Sequence, residues 1–109
     1  MQTKSPSERI IDAVSSWPGV ATEPGRFGSL RFLVGRRELG HIHGDWLVDI
    51  PFPRSIRDRL VAEGKVVPHR PLPDSGWASR HIESAQDVDA VIALLRFQYE
   101  RATVKRSAS

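Results

Sequence analysis

The chain has 109 residues, 39% hydrophobic and 27% charged, with no cysteine and a formal net charge of +3. That is enough chain for one globular domain, and it excludes a disulfide scaffold, thiolate metal ligands and a cysteine nucleophile. The positive charge is a tail effect: Arg101, Lys105 and Arg106 close the chain, while residues 1–100 balance 13 Lys and Arg against 13 acids. A neutral body argues against a nucleic-acid partner, which needs a basic face. Arg36-Arg37 and Arg54/Arg57/Arg59 are the only basic groups that could cluster, and they read as solvated surface. No apolar run approaches the roughly 18–20 residues that cross a bilayer, and the opening MQTKSPSERIID lacks the apolar stretch of a secretory signal. A cytoplasmic protein with no membrane attachment is the expectation.

Ser5-Pro6-Ser7-Glu8 predicts a helix start, with Ser5 as cap, Pro6 in the first turn and Glu8 closing a capping box. Ile10, Ile11, Val14 and Trp17 supply its apolar stripe, and Pro18-Gly19 ends it. Leu30–Val34, Glu38–His43 and Trp46–Ile50 read as strands, the last two joined by Gly44-Asp45 as a two-residue hairpin turn. Pro51-Phe52-Pro53 stops the third. Arg54–Glu63 predicts a short helix burying Ile56 and Leu60, with Gly64 beyond its end. Residues 66–73 are extended and proline-rich, and Gly76–Ile82 is a final strand. Ser84-Ala85-Gln86-Asp87 then caps a helix with the stripe Val88, Val91, Ile92, Leu95 and Tyr99. Strands adjacent in sequence tend to pair directly. The fold class is therefore α+β: an antiparallel meander sheet with helices on one face, two layers, forming a single domain over residues 5–101. Residues 102–109 are expected to be a disordered basic tail.

The segment Gly40-His41-Ile42-His43-Gly44 stands out. Strand alternation puts His41 and His43 on one face, roughly 7 Å apart. With a two-residue turn, His43 would face Trp46 and His41 would face Val48. Histidines beside large apolar residues suit a cavity, or are half-buried, hydrogen-bonded residues without chemistry. An H-x-H pair can hold one ion but needs a further ligand. This register turns Asp49 to the opposite face, so no metal is expected. Asp49 could orient a histidine, act as a base or point outward. The second unusual segment is Pro68-His69-Arg70-Pro71-Leu72-Pro73-Asp74-Ser75-Gly76-Trp77, a stiff loop carrying chemistry-bearing side chains. The candidate site is therefore His41, His43, His69 and Asp74 as proton-handling residues, with Trp46, Asp49, Ser75 and Trp77 meeting substrate. Ser75 has no nucleophile elbow around it. No glycine loop has phosphate-binding or dinucleotide spacing, so no nucleotide cofactor is expected.

The run Gly40–Gly44, then Leu47–Pro53, Leu60–Gly64, His69, Leu72–Trp77, Leu94-Leu95-Arg96 and Tyr99-Glu100 resembles the luciferase domain family. That family includes fungal luciferases and short bacterial proteins, and the likeness spans roughly residues 8–101. Where it leads one to expect a second histidine after His69, Arg70 stands. The resemblance implies a small-molecule site. The fungal members oxygenate a hispidin-type pyrone with molecular oxygen, without a dedicated organic cofactor. Fold alone does not carry that activity across. A weaker likeness, in the tryptophan strand followed by a helix ending in tyrosine, is to the MmcQ/YjbR family. It would imply a non-catalytic module binding protein or DNA.

Overall fold

The computed structural model describes residues 4–108. Helix α1 (Pro6–Ser15) begins at the expected capping box: Glu8 N–H donates to Ser5 Oγ at 3.2 Å, and Ser5 N–H donates to Glu8 Oε1 at 2.8 Å. Its Ile10 and Val14 are fully buried. Strands β1 (Val20–Pro24), β2 (Leu30–Val34), β3 (Arg37–His43) and β4 (Leu47–Pro51) follow as a meander. Then come α2 (Arg54–Ala62), β5 (Val67–Pro68), β6 (Trp77–His81) and α3 (Ala85–Ala108). The sheet order is β1-β2-β3-β4-β6-β5, with every neighbouring pair antiparallel. This is the α+β architecture expected from the sequence.

The helices and one face of the sheet share a single core. Ile10 and Val14 of α1, Leu60 of α2, and Val88, Val91 and Leu95 of α3 cluster with Phe32, Ile42, Val48, Ile50 and Ala78 of the strands. Helix α3 lies close on β3 because Gly40 leaves room for it. A Cβ there would stand 2.8 Å from the Asp49 carbonyl oxygen and 3.0 Å from Leu95 Cδ2. Gly40→Ala should therefore destabilise the protein by about 1–3 kcal/mol, the usual cost of overpacking. Urea unfolding measures it, and an unchanged midpoint would contradict so close an approach.

The structure departs from the sequence reading in four places. The first is the β3–β4 loop, which has three residues, Gly44–Trp46, so that His43 pairs with Leu47 and His41 with Asp49. The register is one residue off the expected one, and such a slip sends every side chain of the partner strand to the other face. Within this loop Asp45 Oδ1 accepts from Ser7 N–H at the start of α1, 2.9 Å away. Second, β3 is bulged. Phe32 pairs with Gly40 and Leu33 with Glu38, so Leu39 is the extra residue. Third, β1 is a strand the sequence does not announce: Val20 is half-buried and its other four residues are exposed, so no alternation marks it. Both edge strands end in proline, Pro24 and Pro68, which limits pairing with a further strand. Fourth, α3 runs on through the segment expected to be a disordered tail, reaching Ala108 with Ala102 buried. Ser109 lies outside the described residues.

Candidate functional site

The three-residue loop puts Asp49 on the same face as His41 and His43, which corrects the placement expected from sequence. Strand β6 pairs directly with β4, so Ser79 stands beside Asp49 and Trp77 beside Pro51. Strand β5 brings the chain back along β6, and His69 N–H donates to the Trp77 carbonyl at 3.3 Å. One face of β3, β4 and β6, on the side away from the helices, thus collects His41, His43, Asp49, Ser79, Trp77 and the neighbouring His69.

Asp49 is the hub. It is only 3% exposed. Its Oδ1 accepts from Ser79 Oγ at 2.6 Å. Around Oδ2 stand three imidazole nitrogens: Nε2 of His41 at 3.2 Å, of His43 at 3.0 Å and of His69 at 3.5 Å. Two indoles flank the group. Trp77 lies 5.2 Å from His41 and 5.9 Å from His69 between ring centroids, and Trp46, 57% exposed, lies 6.4 Å from His43. His41 and His43 meet edge to face at 5.0 Å.

Glu38, which the sequence analysis did not single out, joins the cluster. Strict alternation would turn it to the helix side, but the bulge at Leu39 brings it round to the histidines. Its Oε2 accepts from His41 Nδ1 at 2.7 Å, and its Oε1 accepts from Arg31 Nε at 2.9 Å. His41 is thus held between two carboxylates. Burial alone would lower its pKa, but the hydrogen bonds to Asp49 and Glu38 outweigh burial and raise it to about 9. For Asp49, burial works to raise the pKa. The hydrogen bonds from His41 and Ser79, with the charges of His69 and His41, prevail and hold it at about 2. Ser79 is the second residue that sequence reasoning missed, since its role exists only once β6 pairs with β4.

Asp74 and Ser75 stand apart from the histidines. Ser75 uses its hydroxyl in the turn before β6, donating to the Leu72 carbonyl at 2.7 Å and accepting from Trp77 N–H at 3.1 Å. Asp74 is exposed on the same turn. Of the arginines weighed as a basic patch, Arg57 is buried, donating to the Pro73 carbonyl at 2.8 Å and to Asp58. It anchors the proline-rich loop and is lost to any basic surface. A concavity of about 500 Å³ lies elsewhere, between α2 and α3, lined by Leu60, Leu94, Phe97, Arg59, Lys65 and Arg80 among others. It includes none of the clustered residues. No helix among the described residues is long and apolar enough to cross a membrane.

The profile of the luciferase domain matches residues 36–98, more than half of the chain. The matched stretch runs from the start of β3 into α3 and includes Glu38, His41, His43, Asp49, His69, Trp77 and Ser79. Comparisons with curated proteins and with solved structures returned no match.

Proposed function

Since the chain belongs to the luciferase domain family, we propose that the open face of β3, β4 and β6 is its small-molecule site, taking a flat, acidic aromatic ligand for an oxygenase-type reaction. The observation that carries this reading is the convergence of three imidazole Nε2 atoms on Asp49 Oδ2, between two tryptophans. A buried carboxylate that orients histidines is the arrangement that moves protons near neutral pH. Oxygenating an acidic enol requires its proton to be removed first, leaving an electron-rich anion. His43 suits that role: it is half-buried, it rests on Asp49, and it does not carry the second carboxylate that engages His41. Trp46 and Trp77 offer apolar planes against which an aromatic ring stacks. A cytoplasmic location belongs to the same reading.

The test is a titration with a 6-aryl-4-hydroxy-2-pyrone, followed by tryptophan fluorescence. Saturable binding is expected, and His43→Ala should weaken it by about 1–3 kcal/mol, the cost of losing a charge-assisted hydrogen bond. The melting temperature of that variant should stay close to that of the parent. Absence of saturable binding, or a His43→Ala variant that binds as the parent does, would remove the reading.

A further inference from the structure

The cluster has a feature that proton transfer does not require. Asp49 Oδ2 has Nε2 of His41 at 3.2 Å and Nε2 of His43 at 3.0 Å as its hydrogen-bond partners, with His69 Nε2 farther out at 3.5 Å. The same three atoms, Oδ2 and the two Nε2, are close enough together to hold one cation in place of those two hydrogen bonds. Two ligands set at right angles on an ion with bonds of about 2.1 Å lie about 3.0 Å apart. The separations from Oδ2 to the His41 and His43 nitrogens, 3.2 and 3.0 Å, match that spacing. The candidate ligand atoms of His41, His43 and Asp49 all lie within 4.8 Å of one another.

The surroundings of these three residues suit a bound cation. Metal-bound histidines donate their other ring N–H to a carboxylate, and metal-bound carboxylates are themselves hydrogen-bonded. His41 Nδ1 donates to Glu38 at 2.7 Å, leaving Nε2 to face Oδ2, and Ser79 holds Oδ1 of Asp49 at 2.6 Å, leaving Oδ2 to bind. His41 and Asp49 are cross-strand partners and His43 is two residues along the same strand, so the three donors are set by the sheet and not by a loop. His69 stands at the edge of this group, its Nε2 3.5 Å from Asp49 Oδ2 and its buried Nδ1 without a partner.

We infer that His41, His43 and Asp49 form a facial two-histidine, one-carboxylate site for a divalent first-row transition ion, with coordination positions open toward the tryptophan-flanked face. Imidazole and carboxylate donors with open positions favour Fe(II) within that class. The inference deepens the functional reading above and rests on the same face. Its test needs no organic ligand.

The full chain, stripped with a chelator, is titrated with Co(II), Zn(II) and anaerobically with Fe(II), by calorimetry and, for Co(II), by its visible absorption. One ion per chain is expected, with visible bands characteristic of mixed nitrogen and oxygen donors. Asp49→Asn, which keeps the shape of the side chain, and His43→Ala should each weaken binding by at least 100-fold. Glu38→Gln should weaken it by about 10–100-fold, as loss of a supporting carboxylate does. His81→Ala, on the same face but beyond the cluster, should bind as the parent does. Circular dichroism melts establish that each variant is folded. If the parent chain binds no ion stoichiometrically, the site does not exist. Binding that survives Asp49→Asn and His43→Ala, or is lost with His81→Ala, places the ion elsewhere and overturns the inference equally. Pyrone binding by a chain that takes no metal would leave the functional reading standing without this one. Metal binding without pyrone binding would do the reverse.

Discussion

Leu95→Ala should cost about 2–5 kcal/mol of stability, the range for removing a fully buried leucine from a core that cannot collapse around the gap. Leu95 has no solvent exposure, and its Cδ2 stands where α3 comes nearest to β3, above Gly40. The helix makes up much of the layer covering the sheet: Val88, Val91, Leu94, Leu95 and Tyr99 are all buried. Tyr99 also donates from its hydroxyl to the Pro18 carbonyl at 2.7 Å, tying α3 to the end of α1. A domain of this size has only about 5–15 kcal/mol in all, so the variant should unfold at markedly lower urea concentration. A loss under 1 kcal/mol would mean that α3 is peripheral to the fold.

Asp49→Ala is expected to be the most damaging change on the other face, at about 2–3 kcal/mol near pH 6 in metal-free protein. It strips a buried carboxylate from three imidazoles and a serine, and breaking such a pair costs several kcal/mol. Glu38 still holds His41, which places the effect at the lower end. The pH dependence follows from the same contacts. His41 titrates at about 9 in the folded chain against an ordinary 6.5, so its contribution is complete below pH 6.5 and is lost as pH rises through 9. Asp49 titrates at about 2 against 3.8, so its contribution is complete above pH 3.8 and is lost as pH falls toward 2. The two shifts describe largely one interaction seen from its two ends, and their effects do not add. Metal-free protein should therefore be most stable between these limits, and Asp49→Ala should flatten the alkaline decline. Stability that stays level from pH 6.5 to 9 in the parent chain would mean that His41 is not held in this way.

Whether the histidines are core or surface residues was open from sequence, and the arrangement of layers answers it. The even-numbered residues of β3 and β4, Ile42, Val48 and Ile50, go beneath the helices. His41 and His43 go to the opposite side, each half-buried among the others of the cluster. Burial of Asp49 and Ser79 comes from that cluster and the neighbouring strands, so polar groups lost to solvent are satisfied by one another.

Local chemistry was readable wherever a structural element answers only to its near neighbours. Ser5 and Glu8 cap α1 because both partners lie within four residues. Gly64, at φ +75°, follows α2 because a helix end needs a residue that tolerates that backbone. The stripe from Val88 to Tyr99 marks α3, and alternation alone puts His41 beside His43. The rest was decided across longer separations. The loop between β3 and β4 takes three residues, with Asp45 held by Ser7, 38 positions away, and that single extra residue brings Asp49 to the histidines. Glu38 joins them only because Leu39 is squeezed out of the ladder between β2 and β3. His69, Trp77 and Ser79 arrive because β6 pairs with β4 across the whole of α2 and the proline-rich loop. Side-chain periodicity is a property of one strand, whereas register, bulges and strand order are properties of pairs of strands. Two histidines on one face were thus legible in the chain, but the carboxylates that join them into one cluster were not.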